Sequence, residues 1–234
     1  MKWRPDLYDL LFRDKDYAGE AARLREIIEA RNPGARTLLD VACGTGRHLE
    51  HLRRWYDVEG ADASPEMLEA AAGRVPGVTL HHGDMARFRL GRRFDVITCL
   101  FSAIAHMRTV PRLRRAIANI ARHLAPGGVL IVEPWDSPDG WDPDTPPWVE
   151  VVEDGPRRLV CMETSVLEPG PVWRQETHFL LFENGRIEHV REVTRVGAFT
   201  DEEQLAAFRD AGLDAEHDPR GLIGRGLYVG VRRA

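Results

Sequence analysis

The stretch that decides the fold is Leu38-Leu39-Asp40-Val41-Ala42-Cys43-Gly44-Thr45-Gly46, an apolar run that ends in a glycine turn. A helical pattern starts directly after it, at Arg47-His48-Leu49-Glu50. Glycines at alternate positions let backbone N–H groups approach a ligand closely, and the positive end of the helix dipole lies at the same point. The pattern therefore predicts a strand, a nucleotide-binding turn and a helix, with an ordinary glycine turn of an α/β domain as the alternative.

Two features separate this turn from the dinucleotide-binding fingerprint G-x-G-x-x-G. Leu49 stands where the fingerprint has its third glycine, and Asp40 places a carboxylate inside the strand. A carboxylate at the end of the strand suits a nucleoside ligand that also carries an ammonium group. Because S-adenosylmethionine carries such a group and NAD does not, these residues favour S-adenosylmethionine as the cofactor.

Two further acids follow predicted strands. Residues 57–62 form a second strand that ends in Asp62, whose carboxylate is placed to hold both hydroxyls of a ribose beside the first turn. A third strand at 78–82 leads to Asp84, which could accept a hydrogen bond from an adenine amino group while Met85 packs on the ring. A solvated acid that caps a turn is the alternative for Asp62, and ordinary turn chemistry is the alternative for Asp84.

The segment 94–100 is a nearly continuous apolar run, as expected of a parallel strand that is buried on both faces. Phe101, Ser102 and His106 follow it. A basic helix at about 111–123 comes next, and its arginines are interpreted as a solvated face. The turn Ala125-Pro126-Gly127-Gly128 then precedes a further buried strand at 129–133.

Composition limits the classes of function. The chain has 234 residues, 43% hydrophobic composition and a net charge of −5, without a basic stripe, so nucleic acid is a poor candidate partner and one sizeable core is expected. Three cysteines without a C-x-x-C pair fit a reducing cytoplasm and argue against a metal site. The absence of a signal peptide and of a long apolar run predicts a soluble, cytoplasmic protein without a membrane partner.

Both ends of the chain show helical patterns. Apolar residues recur at helical spacing over 16–31, and Asn32-Pro33-Gly34 ends that run. The apolar segment before it, 7–12, is predicted either to act as a lid or to dock as a helix without a ligand role. Near the other end, Thr200 caps a last helix that ends near Gly212, and a final strand covers 227–231.

The pattern changes after Pro134. A turn-rich loop that carries three tryptophans, Trp135, Trp141 and Trp148, predicts an ordered binding loop. From Val149 onward, alternating strands are joined by turns, of which Asn184-Gly185 is the strongest hairpin signal. The expected fold is α/β, a Rossmann-like sheet with helices on both faces and an appended antiparallel sheet. The expected organisation is one domain over 1–234, in which 134–195 form a substrate loop and an antiparallel-sheet insertion.

With the strand, glycine turn and acids in this order, the chain resembles class I S-adenosylmethionine-dependent methyltransferases. Several segments more specifically resemble the TDP-amino-sugar N,N-dimethyltransferases of macrolide sugar pathways, of the desosamine and mycaminose type. These segments are Lys15-Asp16-Tyr17-Ala18, Leu39-Asp40-Val41-Ala42-Cys43-Gly44-Thr45-Gly46, His48-Leu49-Glu50-His51, His82-Gly83-Asp84-Met85, Val132-Glu133-Pro134-Trp135 and Gly224-Arg225-Gly226-Leu227.

The resemblance implies transfer of a methyl group to the amine of a nucleotide-linked sugar, by a homodimer whose appended sheet helps to dimerise the protein and to receive the substrate. It also implies that Tyr17 meets the methionine end of the cofactor. The full set of residues expected to bind the cofactor is Tyr17, Asp40, Ala42, Cys43, Gly44, Gly46, Asp62, Ala63, Met67, Asp84, Met85, Leu100 and Phe101.

His106 is the candidate catalytic residue, because it follows the fourth strand, beside the expected methyl position. An ordinary imidazole pKa would let it accept a proton or orient the amine at neutral pH, and a structural histidine is the alternative. The candidate substrate-binding residues are Trp135, His178, Arg220 and Arg225. Arg225, in a glycine-flanked turn, is predicted to hold a diphosphate with Arg220 as helper, whereas packing or sheet surface is the alternative for His178.

Three other functions stay open from the sequence. One is N- or O-methylation of another natural-product acceptor, which shares only the cofactor half. The others are a non-catalytic adenosyl-ligand binding module and an NAD oxidoreductase, the last disfavoured by Leu49.

Overall fold

The strand predicted from the deciding stretch lies in the interior of a seven-stranded sheet in the computed structural model, which describes residues 4–139, 142–170 and 172–233. Numbered along the chain, the strands are β1 (Thr37–Val41), β2 (Asp57–Asp62), β3 (Thr79–His82), β4 (Phe94–Cys99), β5 (Leu124–Val132), β6 (Trp148–Asp154), β7 (Arg157–Glu168), β8 (Val172–Glu183), β9 (Arg186–Gly197), β10 (Leu213–Asp218) and β11 (Leu227–Arg232). The helices are α1 (Pro5–Leu11), α2 (Tyr17–Arg31), α3 (Arg47–Leu52), α4 (Pro65–Arg74), α5 (Val110–Ala121) and α6 (Asp201–Asp210), with a 3₁₀ helix at Ala103–Met107.

The main sheet has the strand order β10-β11-β5-β4-β1-β2-β3. The five strands from β1 to β5 are parallel, and β10 and β11 join them as an antiparallel pair at one edge. The predicted α/β fold class is therefore confirmed. Ligands of such sheets bind outside the carboxyl ends of the parallel strands, so the order of strands places the residues after β1, β2, β3 and β4 at one edge.

Helices cover both faces of this sheet. On β4, Val96 packs with α2 and α3, whereas its neighbour Ile97 packs with α5 and α6. Successive side chains of a strand point to opposite faces, so a fully buried parallel strand needs apolar residues in an unbroken run. Each such side chain contributes about 1.5–3 kcal/mol by burial.

Side chains cap the starts of α4 and α6, and the cap at Thr200 is the predicted one. Ser64 Oγ accepts a hydrogen bond from the backbone N–H of Met67 at 3.3 Å, directly before Pro65. Thr200 and Glu203 form a reciprocal capping box, with N···O distances of 3.0 and 3.2 Å. Caps of this kind stabilise a helix by about 1 kcal/mol, and they fix the points at which α4 and α6 leave their preceding loops.

The second sheet is antiparallel with the order β6-β7-β8-β9. Its β8–β9 hairpin turns at Asn184 and Gly185, which both have positive φ, as a two-residue type I′ turn requires. The sheet reaches Gly197, slightly beyond the predicted insertion of 134–195. Of the three loop tryptophans predicted from the sequence, Trp141 lies outside the described residues.

Helix α1 joins the N-terminal segment to the second sheet. Leu7, Leu10 and Leu11 of this helix pack against Leu159 and Phe179 of the sheet. The segment is therefore a docked helix. It also places Tyr8 and Phe12 in the wall of a large cavity. None of the helices in the described part of the chain is long and apolar enough to cross a membrane.

Candidate active site

A cavity of about 1110 Å³ opens at the carboxyl ends of the parallel strands. One wall consists of residues that follow β1, β2, β3 and β4, and the opposite wall is the inner face of the second sheet. Helix α1 and the loop after β5 close the cavity from the sides. Its volume exceeds the roughly 300–1,000 Å³ of ordinary small-molecule sites, which leaves room for two ligands.

The glycine turn forms part of the wall of this cavity. Ala42, Gly44 and Gly46 all have positive φ, and Gly46 precedes α3 in a left-handed conformation. A Cβ added to Gly60 of β2 would lie 2.8 Å from both Leu49 and Cys43. The close approach that a third glycine provides in dinucleotide-binding turns is therefore supplied by a glycine on the neighbouring strand, with Leu49 packed against it.

Asp62 lies beside this turn, as its position after β2 predicted. Its carboxylate accepts hydrogen bonds from the backbone N–H groups of Gly44 at 2.9 Å and Ser64 at 2.8 Å, one on each oxygen. A carboxylate offers about four acceptor positions, so both oxygens keep capacity for ligand hydroxyls. Asp62 lines the cavity together with Ala63 and Met67.

Asp40 occupies a different position from the one predicted. It is only 2% exposed and does not line the cavity, and one of its oxygens accepts a hydrogen bond from Thr98 Oγ1 at 2.8 Å. Burial raises the pKa of Asp40 to about 6. The carboxyl thus lies beneath the turn, where it supports the ends of β1 and β4 and has no open path to a ligand in this structure.

Asp84 and Met85 lie on the cofactor-side wall. Asp84 accepts a hydrogen bond from the backbone N–H of Ala86 at 2.8 Å, which is the turn chemistry named as the alternative. Its second oxygen lies 3.7 Å from Arg112 Nη2, while the side chain remains partly exposed. Turn formation and ligand binding are therefore compatible roles for this carboxylate.

Tyr8, Phe12 and Phe101 form an aromatic cluster in the wall of the cavity. The ring centroid of Phe12 lies 5.0 Å from that of Tyr8 and 4.9 Å from that of Phe101. Phe101 and Ser102 both have positive φ, an uncommon conformation for such residues that turns the chain sharply after β4. Lys15 Nζ lies 5.1 Å from the Phe101 ring centroid and pairs with the buried Glu20.

His106 lies on the 3₁₀ helix after β4 and lines the cavity. Burial lowers its pKa to about 4, so its ring is neutral near pH 7. The expectation of an ordinary imidazole pKa is therefore wrong. A neutral imidazole at this position can accept or donate a hydrogen bond, but it holds a proton poorly.

Arg225 reaches into the cavity, and Arg220 does not. The Arg225 guanidinium lies 5.0 Å from the Trp135 ring centroid, and its Nη1 donates to Ser102 Oγ at 3.5 Å. Its Nε lies 3.9 Å from Asp136. The side chain of Arg220 is 84% exposed and faces Asp218, outside the residues that line the cavity, so the structure does not bring the two arginines together.

His178 points away from the cavity. On β8 the residues Trp173, Gln175 and Thr177 face inward, so the intervening even-numbered positions face outward. The His178 ring stacks on His189 of β9, with ring centroids 5.2 Å apart. Its prediction as a substrate ligand conflicts with this placement, and the sheet-surface alternative describes its position.

The remaining predicted residues divide into two groups. Ala42, Gly44, Leu100, Phe101 and Trp135 line the cavity. Tyr17, Cys43 and Gly46 are not among the residues that line it. Tyr17 is buried with its ring 5.0 Å from that of His48, and burial raises its pKa to about 12, so it stays a neutral phenol.

Sequence reasoning missed the polar wall that the second sheet contributes, which consists of Glu163, Ser165, Gln175, Thr177 and Thr194. Polar residues at alternate positions of β7 and β8 are the signal that could have revealed it. Other lining residues that were not predicted as ligands include Tyr8, Phe12, Arg108 and Arg112.

Known proteins resemble this chain along nearly its whole length. A family model described as a methyltransferase domain matches residues 38–128. The dTDP-3-amino-3,4,6-trideoxy-alpha-D-glucopyranose N,N-dimethyltransferase of Streptomyces venezuelae is 43% identical, over 97% of this chain and 96% of that protein. The dTDP-4-amino-2,3,4,6-tetradeoxy-D-glucose N,N-dimethyltransferase of Saccharopolyspora spinosa is 44% identical, over 97% and 92%.

A solved structure agrees with these relatives. The S-adenosylmethionine-bound amino pentose methyltransferase from Micromonospora echinaspora matches with a TM-score of 0.88 and 39% identity, over 99% of this chain and 98% of that one. The fold and the turn-lined cavity define an S-adenosylmethionine-dependent methyltransferase of class I. The chain belongs to the methyltransferase family that contains these dTDP-amino-sugar N,N-dimethyltransferases.

Proposed function

We propose that this enzyme methylates the amino group of a TDP-linked amino sugar, with S-adenosylmethionine as methyl donor. The observation that carries the proposal is the continuous cavity of about 1110 Å³, which runs from the glycine turn to the polar wall of the second sheet. Its cofactor-side wall suits an adenosyl group, and its other half offers hydrogen-bonding side chains and an arginine to a nucleotide sugar. The names of the two relatives supply the substrate class.

The residues around the glycine turn fit S-adenosylmethionine. Asp62, anchored by two backbone N–H groups, is proposed to bind the ribose hydroxyls, and Asp84 the adenine amino group, with Met85 against the ring. Tyr17 is proposed to support the methionine end, although its own ring is buried. When bound, S-adenosylmethionine supplies a methyl group that its positive sulfonium has already activated toward nucleophiles.

The protein's main task is then to position the acceptor nitrogen and to exclude water. Alignment of two reactants lowers the barrier more than a strong base does when the electrophile is already activated. Phe12, Tyr8 and Phe101 line the cavity with three aromatic rings in mutual contact, which help to exclude water. His106 is proposed to accept a hydrogen bond from the amine and so direct its lone pair toward the methyl position, because its neutral ring offers an acceptor without a competing charge.

Arg225 is proposed to bind the diphosphate of the nucleotide, in contact with Trp135. Its guanidinium lies 3.9 Å from Asp136 and donates a long hydrogen bond of 3.5 Å to Ser102 Oγ, and a dianion would replace both of these long contacts. Residues 134–195 are proposed to act as the substrate-receiving part of a single domain. Arg220 and His178 have no part in this proposal, since both lie outside the cavity.

The outer face of the second sheet supports a homodimer. Its exposed apolar residues are Val149, Val151, Met162, Val166, Leu180, Phe182, Ile187 and Val193. An apolar sheet face of this kind is typical of an interaction site, and a second copy of the chain is the proposed occupant. We also propose a cytoplasmic location, in keeping with three free, buried cysteines. Analytical ultracentrifugation tests the dimer.

Mass spectrometry tests the proposed activity. Purified enzyme is incubated with S-adenosylmethionine and a panel of TDP-sugars that differ in the position of the amine, together with free amines and hydroxylated natural products. The expected result is a mass gain of one or two methyl groups on a TDP-amino sugar alone. Methylation only of the other acceptors would replace this proposal by the alternative of a small-molecule N- or O-methyltransferase.

A further inference from the structure

Glu163 is a half-buried carboxylate in the wall of the cavity. Thr177 Oγ1 donates to its Oε2 at 2.7 Å, and Gln175 Nε2 donates to its Oε1 at 2.9 Å. Both donors are neutral, and no Lys, Arg or His nitrogen of the described residues lies within 4.0 Å of its oxygens. Each oxygen therefore keeps an acceptor position, on a wall that faces the space left for the substrate.

The charge of this group is only partly compensated. Burial raises the pKa of Glu163, while its two hydrogen bonds and the more distant charge of Arg225 act in the opposite direction. A half-buried carboxylate without an adjacent cation carries a desolvation cost, which a bound cation would offset. The polar wall thus contains a site for a positively charged hydrogen-bond donor.

The position of the site within the sheet fits the reacting end of a substrate. Trp173 and Val196, also on the inner face, pack against Ala105, the neighbour of His106 on the 3₁₀ helix. Gln175 is the next inward residue after Trp173, about 7 Å along the strand. The Glu163 carboxylate is hydrogen-bonded to Gln175 as well as to Thr177, and it lines the same cavity as His106 of the 3₁₀ helix.

We propose that Glu163 binds the amino group of the amino-sugar substrate and so selects an amine over a hydroxyl at the methylated position. The group arrives as an ammonium, loses one proton to solvent before the transfer, and stays bound to the carboxylate through an N–H of the neutral amine, whose lone pair then takes the methyl group. This inference rests on the proposed function, since it concerns the same substrate. Thr177 and Gln175 are positioning residues that hold the carboxylate in place. An amino sugar arrives largely as a cation at neutral pH, so an anionic partner inside the cavity distinguishes it from the corresponding neutral sugar.

Steady-state kinetics and inhibition with a Glu163→Gln variant test this inference. The variant keeps the side-chain shape and removes the charge. We expect KM for the TDP-amino sugar to rise about tenfold or more, the effect of losing a charged hydrogen bond, while kcat changes less and affinity for S-adenosylmethionine stays the same. The inhibition constant of the matching TDP-sugar with a hydroxyl in place of the amine should stay unchanged. Glu163→Asp should restore part of the affinity.

Glu192 offers the matched control. It lies opposite Thr177 on the inner side of β9, burial raises its pKa as well, and it does not line the cavity. Glu192→Gln should leave the KM for the amino sugar at the wild-type value.

The outcomes separate the two proposals. If KM stays at the wild-type value in Glu163→Gln, or if the amine and hydroxyl sugars weaken equally, the ammonium site is refuted while the proposed function stands. If the wild-type enzyme methylates no amino sugar, both are overturned. Thermal unfolding of each variant identifies a general loss of folding, in which case Glu163→Asp alone decides.

Discussion

The two halves of the cavity are built in different ways. The cofactor half, formed by Gly44, Asp62 and Asp84, consists of backbone turns and acids placed directly after parallel strands. The substrate half is formed by Glu163, Gln175 and Arg225. These side chains belong to two different strands and to a distant turn, and only the fold brings them together. A site at strand ends depends on local order, whereas a site on a sheet face depends on which face is docked. A short sequence motif therefore predicts the cofactor half, whereas no short motif predicts the substrate half.

The largest expected effect concerns the free energy of unfolding and tests the protonation state of Asp40, which lies beneath the glycine turn. The raised pKa of Asp40 means that folding favours its protonated form. Its contribution to stability is therefore present below the pKa of an unfolded aspartate and is lost as pH rises through about 6, a change of about 3 kcal/mol. Asp40→Asn should lack this loss and exceed the wild-type free energy of unfolding at about pH 8, as measured by urea denaturation.

Asp95, at the opposite end of β4, provides the control for that measurement. Burial opposes its ionisation, but hydrogen bonds from the backbone amides of Arg36 and Thr37 hold its pKa below the usual value. Its contribution is thus present at neutral pH and is lost as pH falls. Asp95→Asn should destabilise the protein at about pH 8, and equal pH dependence in the Asp40→Asn variant and the wild type would contradict a raised pKa at Asp40.

The second effect separates the cofactor half from the substrate half. Asp62→Ala should weaken S-adenosylmethionine binding by about 1.5–3 kcal/mol, the cost of losing charge-assisted hydrogen bonds to the ribose. Isothermal titration calorimetry measures it. Binding of the nucleotide sugar should be unaffected, and an unchanged cofactor affinity would remove Asp62 from the ribose site.

The third effect concerns the turnover rate and tests the role of His106. His106→Ala should lower kcat by about 10–100-fold through poorer alignment of the amine. Because the pKa of His106 is about 4, the pH profiles of variant and wild type should run parallel between about pH 6 and pH 8 and differ only near pH 4. His106→Asn, which retains an acceptor, should recover part of the rate. Wild-type turnover in both variants would make the residue structural.

The smallest effect concerns the substrate half alone. Arg225→Ala should raise KM for the nucleotide sugar about tenfold, since the diphosphate loses a charged partner, and leave cofactor affinity intact. Arg220→Ala serves as the control, because that side chain faces solvent. A parallel loss of cofactor affinity in Arg225→Ala would assign Arg225 to both halves and refute its selective role.

Local chemistry explains what could be predicted. Strand β4 could be predicted because a strand buried on both faces needs an unbroken apolar sequence. The cap at Thr200 could be predicted because few residue types can cap the start of a helix. Strand β10 was missed since Leu213–Asp218 is rich in charge and becomes a strand by pairing with β11. The turn expected at 125–128 instead belongs to β5, whose pairing with β4 continues past an irregularity.

By itself the sequence determined where β1 to β4 lie along the chain, the glycine turn, the acids at the ends of β2 and β3, and the β8–β9 hairpin of the second sheet, because each depends on residues close together in the chain. Tertiary structure alone decided that Asp40 is sealed beneath the turn, that His106 is neutral, and that His178 faces outward. It also decided that Glu163 faces the cavity. The burial of a side chain, and the direction in which it points, depend on which helices and sheets pack against each other. That packing is determined by the whole chain and not by a short segment.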